Sequence, residues 1–259
     1  MKRFLALALA AAIVLSLSAC ASKSKKTISA DRETVCQSGL ARALNQGCYE
    51  GVTEVSELKR HGDTGIGIFE DVDGEMIMLG GKVYKALGDG HVKEVSDSEA
   101  VCFSDVTFFD ADGTIELTGV KDINTLKQQL EKTVSEKGKN LFYTVKFSAT
   151  FSKVKVRTEI KQEQPYKPLS EVLKTAKREF EYENIKGTVV GLRCPDYLDG
   201  LNSPGWHFHF ISNDRIQGGH VLDLTFDSAG AEYDITTKFD LCVSDSETFR
   251  KLDLSKSAG

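Results

Sequence analysis

From Gly65 onward the chain is written in short apolar runs, GIGIF, EMIML, KVYKAL and HVKEV, closed by DVDG, GG and GDG. Runs of this length separated by glycine and aspartate fit antiparallel strands joined by tight reversals. VCFSDVTFF and TIELTGV extend the sheet, and LFYTVKFSATF with KVKVRTEI predicts a further antiparallel pair. FEYENI, TVVGLRC, WHFHFIS, HVLDLTF and AEYDITTKFDLCV are again strand and turn.

Helical text is sparser. Ser38 to Leu44, Val55 to Arg60 and a short stretch from Glu171 to Lys177 are predicted helices. The clearest begins at a capping Asp122 and spaces Leu126, Leu130 and Val134 four apart before Gly138, which is the period of an amphipathic helix. The predicted class is α+β, with mixed to mostly antiparallel sheets and a few helices. An all-β sandwich is the alternative, and the pattern leaves open one domain or two lobes with a site between them.

At the amino terminus, Lys2 and Arg3 precede an apolar run from Phe4 to Leu17 that ends in Leu17-Ser18-Ala19-Cys20. The run is short for a membrane span and reads as a secretory signal over residues 1–19. Ser18, Ala19 and Cys20 resemble the lipobox of bacterial lipoproteins, so Cys20 is the expected lipidation site. Residues 20–33 are small, polar and aperiodic, as a flexible lipid-anchored tether would be. The expected location is the bacterial cell envelope. Ala21, where an aspartate would favour inner-membrane retention, leans the expectation toward the outer membrane. A plain secretory signal or a short uncleaved anchor is the alternative, and either exports the chain equally.

The 33 basic and 38 acidic residues give a net charge of −5, more acidic still once Lys2 and Arg3 leave with a signal. That balance argues against a nucleic-acid partner. Besides Cys20, Cys36, Cys48, Cys102, Cys194 and Cys242 are scattered and odd in number, with no CxxC pair. A Cys36–Cys48 bridge is allowed in an oxidising compartment, but buried free thiols are the simpler expectation.

The strongest chemical signal is histidine. His207 and His209 alternate with Trp206, Phe208 and Phe210, so on a strand both imidazoles face one side and the three aromatic rings the other. The polar, glycine-rich ISNDRIQGG can reverse the chain and bring His220 onto the neighbouring strand opposite the pair. Three imidazoles with no fourth protein ligand describe a catalytic zinc site with one open position. Copper, nickel and iron also accept imidazole. His61 and His91 stand alone and read as structural or surface residues.

The segment GWHFHFISNDRIQGGHVLDL resembles the metal segment of acetolactate decarboxylases. So do GIGIFEDVDGEMIMLGGKVYKAL, NLFYTVKFSATFSKVKVRTEIKQEQPYKP and GTVVGLRCPDYLDGLNSPG, in order, across Ser38 to Val243. The resemblance implies a catalytic domain over residues 34–259. It makes His207, His209 and His220 zinc ligands, Glu75 the active-site carboxylate and Arg157 the active-site guanidinium. Without it, Glu75 is a turn residue, and Arg157, on one face with Lys153, Lys155 and Glu159, belongs to a solvated edge. Ile68 stands where many relatives carry threonine. Relatives also bring in a carboxyl-terminal glutamate, for which RKLDLSKSAG offers Asp253 or, less well, Glu247.

The implied activity is conversion of 2-acetolactate to acetoin and carbon dioxide, with Zn2+ stabilising the enediolate as Lewis acid and template. Arg157 would orient the departing carboxylate, and Glu75 would manage the proton. Rival readings are another three-histidine metal enzyme, cupin-like or a zinc-hydroxide hydratase, and a non-catalytic metal-binding lipoprotein. The implied partners are the small substrate and, through the lipid alone, a membrane. Oligomeric state is left open, a homodimer included.

Overall fold

The computed structural model describes residues 31–255. The expected signal segment, Cys20 and most of the expected tether lie outside the described residues. Thirteen strands and five α-helices occur among the described residues. The first half of the strands comprises β1 (Thr34–Ser38), β2 (Thr53–Glu54), β3 (Thr64–Phe69), β4 (Glu75–Leu79), β5 (Lys82–Ala86), β6 (Val92–Glu94) and β7 (Ala100–Thr107). Then follow β8 (Gly113–Val120), β9 (Phe142–Glu159), β10 (Lys177–Cys194), β11 (Gly205–Ser212), β12 (Gly218–Thr236) and β13 (Lys238–Cys242). The helices are α1 (Ala41–Asn45), α2 (Val55–His61), α3 (Ile123–Lys137), α4 (Leu169–Thr175) and α5 (Glu247–Lys251).

These strands form two sheets, which bears out the α+β expectation. The first has the order β13-β1-β7-β3-β4-β5-β6, with β2 also on β7; its β1–β13 pair is parallel and the rest antiparallel. The second is antiparallel in the order β11-β10-β9-β12-β8. It curls until β11 also pairs with β12, closing a four-strand ring through β9 and β10.

Several runs expected to be separate strands are single long ones. KFSATF and KVKVRTE are consecutive parts of β9, not a hairpin, and β10 and β12 are similarly continuous. The apolar phase does shift, from Phe147 and Phe151 to Val154 and Val156, all of them buried. The cause is an irregularity rather than a reversal: pairing with β12 slips between Thr225 and Phe226, opposite Lys153 and Phe151. A bulge moves the phase by one residue and bends the strand without turning the chain back. At the amino-terminal end, Ser38 closes β1 instead of opening a helix, and Gly39 (φ +77°) redirects the chain before α1. The helix near residue 171 starts two residues early, directly after Pro168.

Packing follows the alternation. Trp206, Phe208 and Phe210 join Leu126, Leu130 and Val134 of α3 in one core. The Asp122 carboxylate caps that helix, accepting from the Thr125 N–H at 2.6 Å. Complete burial of each aliphatic side chain in the α3 stripe contributes about 1.5–3 kcal/mol. A second core, with Ile66, Ile77 and Tyr84 from one sheet and Val190, Leu192 and Ile211 from the other, joins the sheets face to face. The side of β11 that carries His207 and His209 therefore faces the seam.

A buried polar knot holds the loop at one end of this seam. Asn202 Nδ2 donates to Gln37 Oε1 at 2.8 Å and to the Asp105 carboxylate at 2.9 Å. Burial pushes Asp105 up to about 7 from 3.8, against the opposing hydrogen bond from Asn202. An unfolded Asp105 loses its proton near pH 4, whereas the folded one keeps it to about pH 7. Between those values folding takes up a proton, so stability falls as pH rises. Asp105→Asn is expected to flatten that fall by roughly 2–4 kcal/mol in urea titrations at pH 4.5 and 7.5. An unchanged difference between the two pH values would remove Asp105 as its source.

Candidate metal centre

The geometry starts from strand register. His209 pairs with His220 across β11 and β12, and His220 pairs with Arg157 across β12 and β9. Such close approach requires Gly219: its φ is +145°, and a Cβ there would lie 2.6 Å from the Arg157 carbonyl oxygen. The ring closure of the second sheet thus puts the three histidines and the arginine side by side.

Three ring nitrogens converge. His207 Nε2 lies 2.7 Å from His220 Nδ1 and 3.1 Å from His209 Nε2. One candidate ligand atom from each ring falls within 4.8 Å of the others. His209 Nδ1 donates to the Met76 carbonyl oxygen at 2.7 Å, which fixes the tautomer and leaves a bare Nε2 lone pair facing the cluster. Burial, followed by the nearby Arg157 charge, lowers His207 to about 3. His209 and His220 are also lowered well below the usual imidazole range, first by burial and then by the charge of His207. Neutral imidazoles with converging lone pairs are the donor set a divalent ion requires, so the residues fit a metal.

Glu75 reaches the cluster from the other sheet. Although it begins a hairpin strand, it is 2% exposed, and its Oε2 lies 3.3 Å from His209 Nε2. Its other oxygen is 3.2 Å from Arg157 Nη1 and has no hydrogen bond. Burial pushes the Glu75 carboxyl up to about 7, with Arg157 pulling the other way. The preceding turn holds Asp71 and Val72 at φ +60° and +56°, unfavourable for a β-branched residue. Asp71 is gripped by the Tyr166 hydroxyl, by Lys161 at 3.0 Å and by backbone bonds to Tyr49 and Gln162.

Arg157 is not on a wet edge. Further back along the same face of β9, Lys153 and Lys155 pair with Glu181 and Glu179 near solvent, as a solvated edge would. Where β9 enters the seam the face becomes buried: Arg157 contacts both Glu75 and Glu159, and Glu159 is 0% exposed with one oxygen unpartnered. The Arg-x-Glu spacing was the only sequence trace of Glu159's place here.

The cluster borders a cavity of about 270 Å³. Its polar lining includes Glu75, Arg157, His207, His220 and Lys127 of α3. Ile68 and Phe103 contribute apolar wall, so an aliphatic side chain occupies the place expected to lack a hydroxyl. Lys127 was missed because the helical pattern alone assigns it to solvent. Asp253 and Glu247 do not line this cavity: the Asp253 backbone accepts from Gln46 and Glu247 pairs with Lys251. His61 ends α2 beside Glu57 and His91 lies in the β5–β6 turn, both exposed and outside the three-histidine group, as expected of surface residues. The five described cysteines are free, Cys36 and Cys48 included.

Comparison with known proteins places the chain in a family. A family model described as alpha-acetolactate decarboxylase matches residues 35–256. An alpha-acetolactate decarboxylase of Brevibacillus brevis is 40% identical over 227 residues, spanning 88% of this chain and 79% of its own. One from Methanosarcina mazei is 41% identical over 215 residues, covering 83% and 74% respectively. The crystal structure of alpha-acetolactate decarboxylase from Bacillus subtilis strain 168 superposes with a TM-score of 0.82 at 31% identity, covering 86% of this chain and 94% of that one. With three histidines gathered at the sheet seam and this agreement along nearly the whole folded region, the chain belongs to the alpha-acetolactate decarboxylase family.

Proposed function

We propose that the protein decarboxylates 2-acetolactate to acetoin at a zinc ion held by His207, His209 and His220. The observation that carries this reading is the convergence of three neutral imidazoles beside a buried carboxylate and a small cavity, in a chain of this family. Three nitrogen ligands and an open position favour zinc among the ions imidazole accepts. When bound, the ion would supply a Lewis acid for the adjacent hydroxyl and ketone oxygens of the substrate.

The chain's own residues do the rest. The cavity's apolar wall, with Ile68 and Phe103, accommodates the methyl groups and keeps bulk water from the reacting carbon. Loss of carbon dioxide breaks the bond between C1 and C2 and sends its electron pair toward the ketone oxygen, after which C2 needs a proton. Glu75, beside the ring cluster and lining the cavity, is placed to hold and deliver it. Arg157, clasped between Glu75 and Glu159, fixes Glu75 at the cavity wall.

The direct test supplies racemic 2-acetolactate to the purified chain lacking its first 20 residues and measures acetoin with and without a chelator. Acetoin formation that stops on chelation and returns with zinc is the expected result. Zinc retention without any acetoin would favour the metal-binding alternative instead.

We also propose export and lipid anchoring at Cys20, supported by the apolar segment before it and the Leu-Ser-Ala-Cys sequence. Cys20→Ala is expected to move most of the protein from the membrane fraction to the soluble envelope fraction. An unchanged distribution would count against the anchor.

A further inference from the structure

The cavity wall carries two cations of different standing. Arg157 is compensated: its Nη1 contacts Glu75 and Glu159, both almost wholly buried. Lys127 has no acidic side chain within ion-pair distance among the described residues, although it lines the same cavity and is only half-buried. Its natural partner on the helix would be Glu131, four residues on. That carboxylate is instead bonded to Arg193 Nε at 2.8 Å. The Asp122 cap fixes the start of α3, so Ile123 and Lys127, one turn apart, face the cavity together.

From this asymmetry we propose that Lys127 recognises the carboxylate of the substrate, a small 2-hydroxy-3-oxo acid, a task the family resemblance implies for Arg157. The inference rests on the proposed decarboxylase reading. An anion entering the cavity gains most from the cation that no protein carboxylate has neutralised. The reaction sets the kinetic signature. As the carbon–carbon bond breaks, negative charge moves from the carboxylate toward the ketone oxygen without leaving the small cavity, so a cation at its wall attracts bound substrate and transition state to a similar degree. Lys127 therefore contributes to binding and not to the chemical step.

The experiment compares the metal-loaded full chain with Lys127→Gln and Lys127→Arg. Lys127→Gln is expected to raise KM for 2-acetolactate about tenfold to thirtyfold while kcat moves less than about threefold, and Lys127→Arg to restore most of the loss. Calorimetry with 2-hydroxy-2-methylpropanoate, a stable carboxylate, is expected to show the same weakening in Lys127→Gln. Neutral acetoin should bind both proteins alike. Equal carboxylate affinity in wild type and Lys127→Gln would overturn the proposal, as would parallel weakening of acetoin binding, which marks a collapsed cavity. Should the wild type form no acetoin, the decarboxylase reading fails, and the carboxylate calorimetry still decides the role of Lys127.

Discussion

Replacing His209 by alanine is expected to remove both metal retention and acetoin formation, lowering turnover by at least about a thousandfold. The size of the effect follows from the position of this ring. His209 is the fully buried member of the triad, its Nδ1 bonded to Met76 in one sheet and its Nε2 facing the other two rings. Its loss leaves two imidazoles, too few to hold a catalytic ion, and removes a buried hydrogen bond to the Met76 carbonyl oxygen that contributes about 0.5–1.5 kcal/mol. Metal analysis after gel filtration reads the first effect and thermal melting the second. A His209→Ala protein that stays folded, metal-free and fully active would contradict the account.

Glu75→Gln is the second large effect. The amide keeps the shape of the side chain but cannot donate or accept the proton, so kcat is expected to fall roughly 10²–10⁴-fold with zinc retained. Retention is expected because the proposed ligand set is the three imidazoles, without Glu75. Steady-state kinetics beside a zinc assay separate the outcomes. Unchanged turnover would reduce Glu75 to a structural residue that braces Arg157, and loss of zinc would make it part of the metal site.

The histidine site was legible because strand alternation is a local rule. The WHFHF spacing placed Trp206, Phe208 and Phe210 in the α3 core and both rings on the opposite face, and the glycine-rich turn delivered His220 to the expected partner strand. The α3 helix was legible for the same reason. What was not legible depends on neighbours distant in sequence. Nothing local shows that β9 passes from a wet edge at Lys153 into a buried seam at Arg157, since that change is set by where Glu75 of the other sheet meets the end of β9. Nor does the text distinguish a bulge from a reversal at Ser152, because both break the apolar phase. Lys127 carries the charge expected of a helix's solvent face, and only the packing of α3 over the cavity gives it another one.

X-ray absorption at the zinc edge, on the metal-loaded protein with and without 2-hydroxy-2-methylpropanoate, tests most directly whether one ion shared by three imidazoles is open to substrate. The expected spectrum has imidazole nitrogens at about 2.0–2.1 Å, no sulfur near about 2.3 Å, and oxygen ligands that change when the hydroxy acid is added. A sulfur shell, or a shell of ligands indifferent to the hydroxy acid, would contradict it.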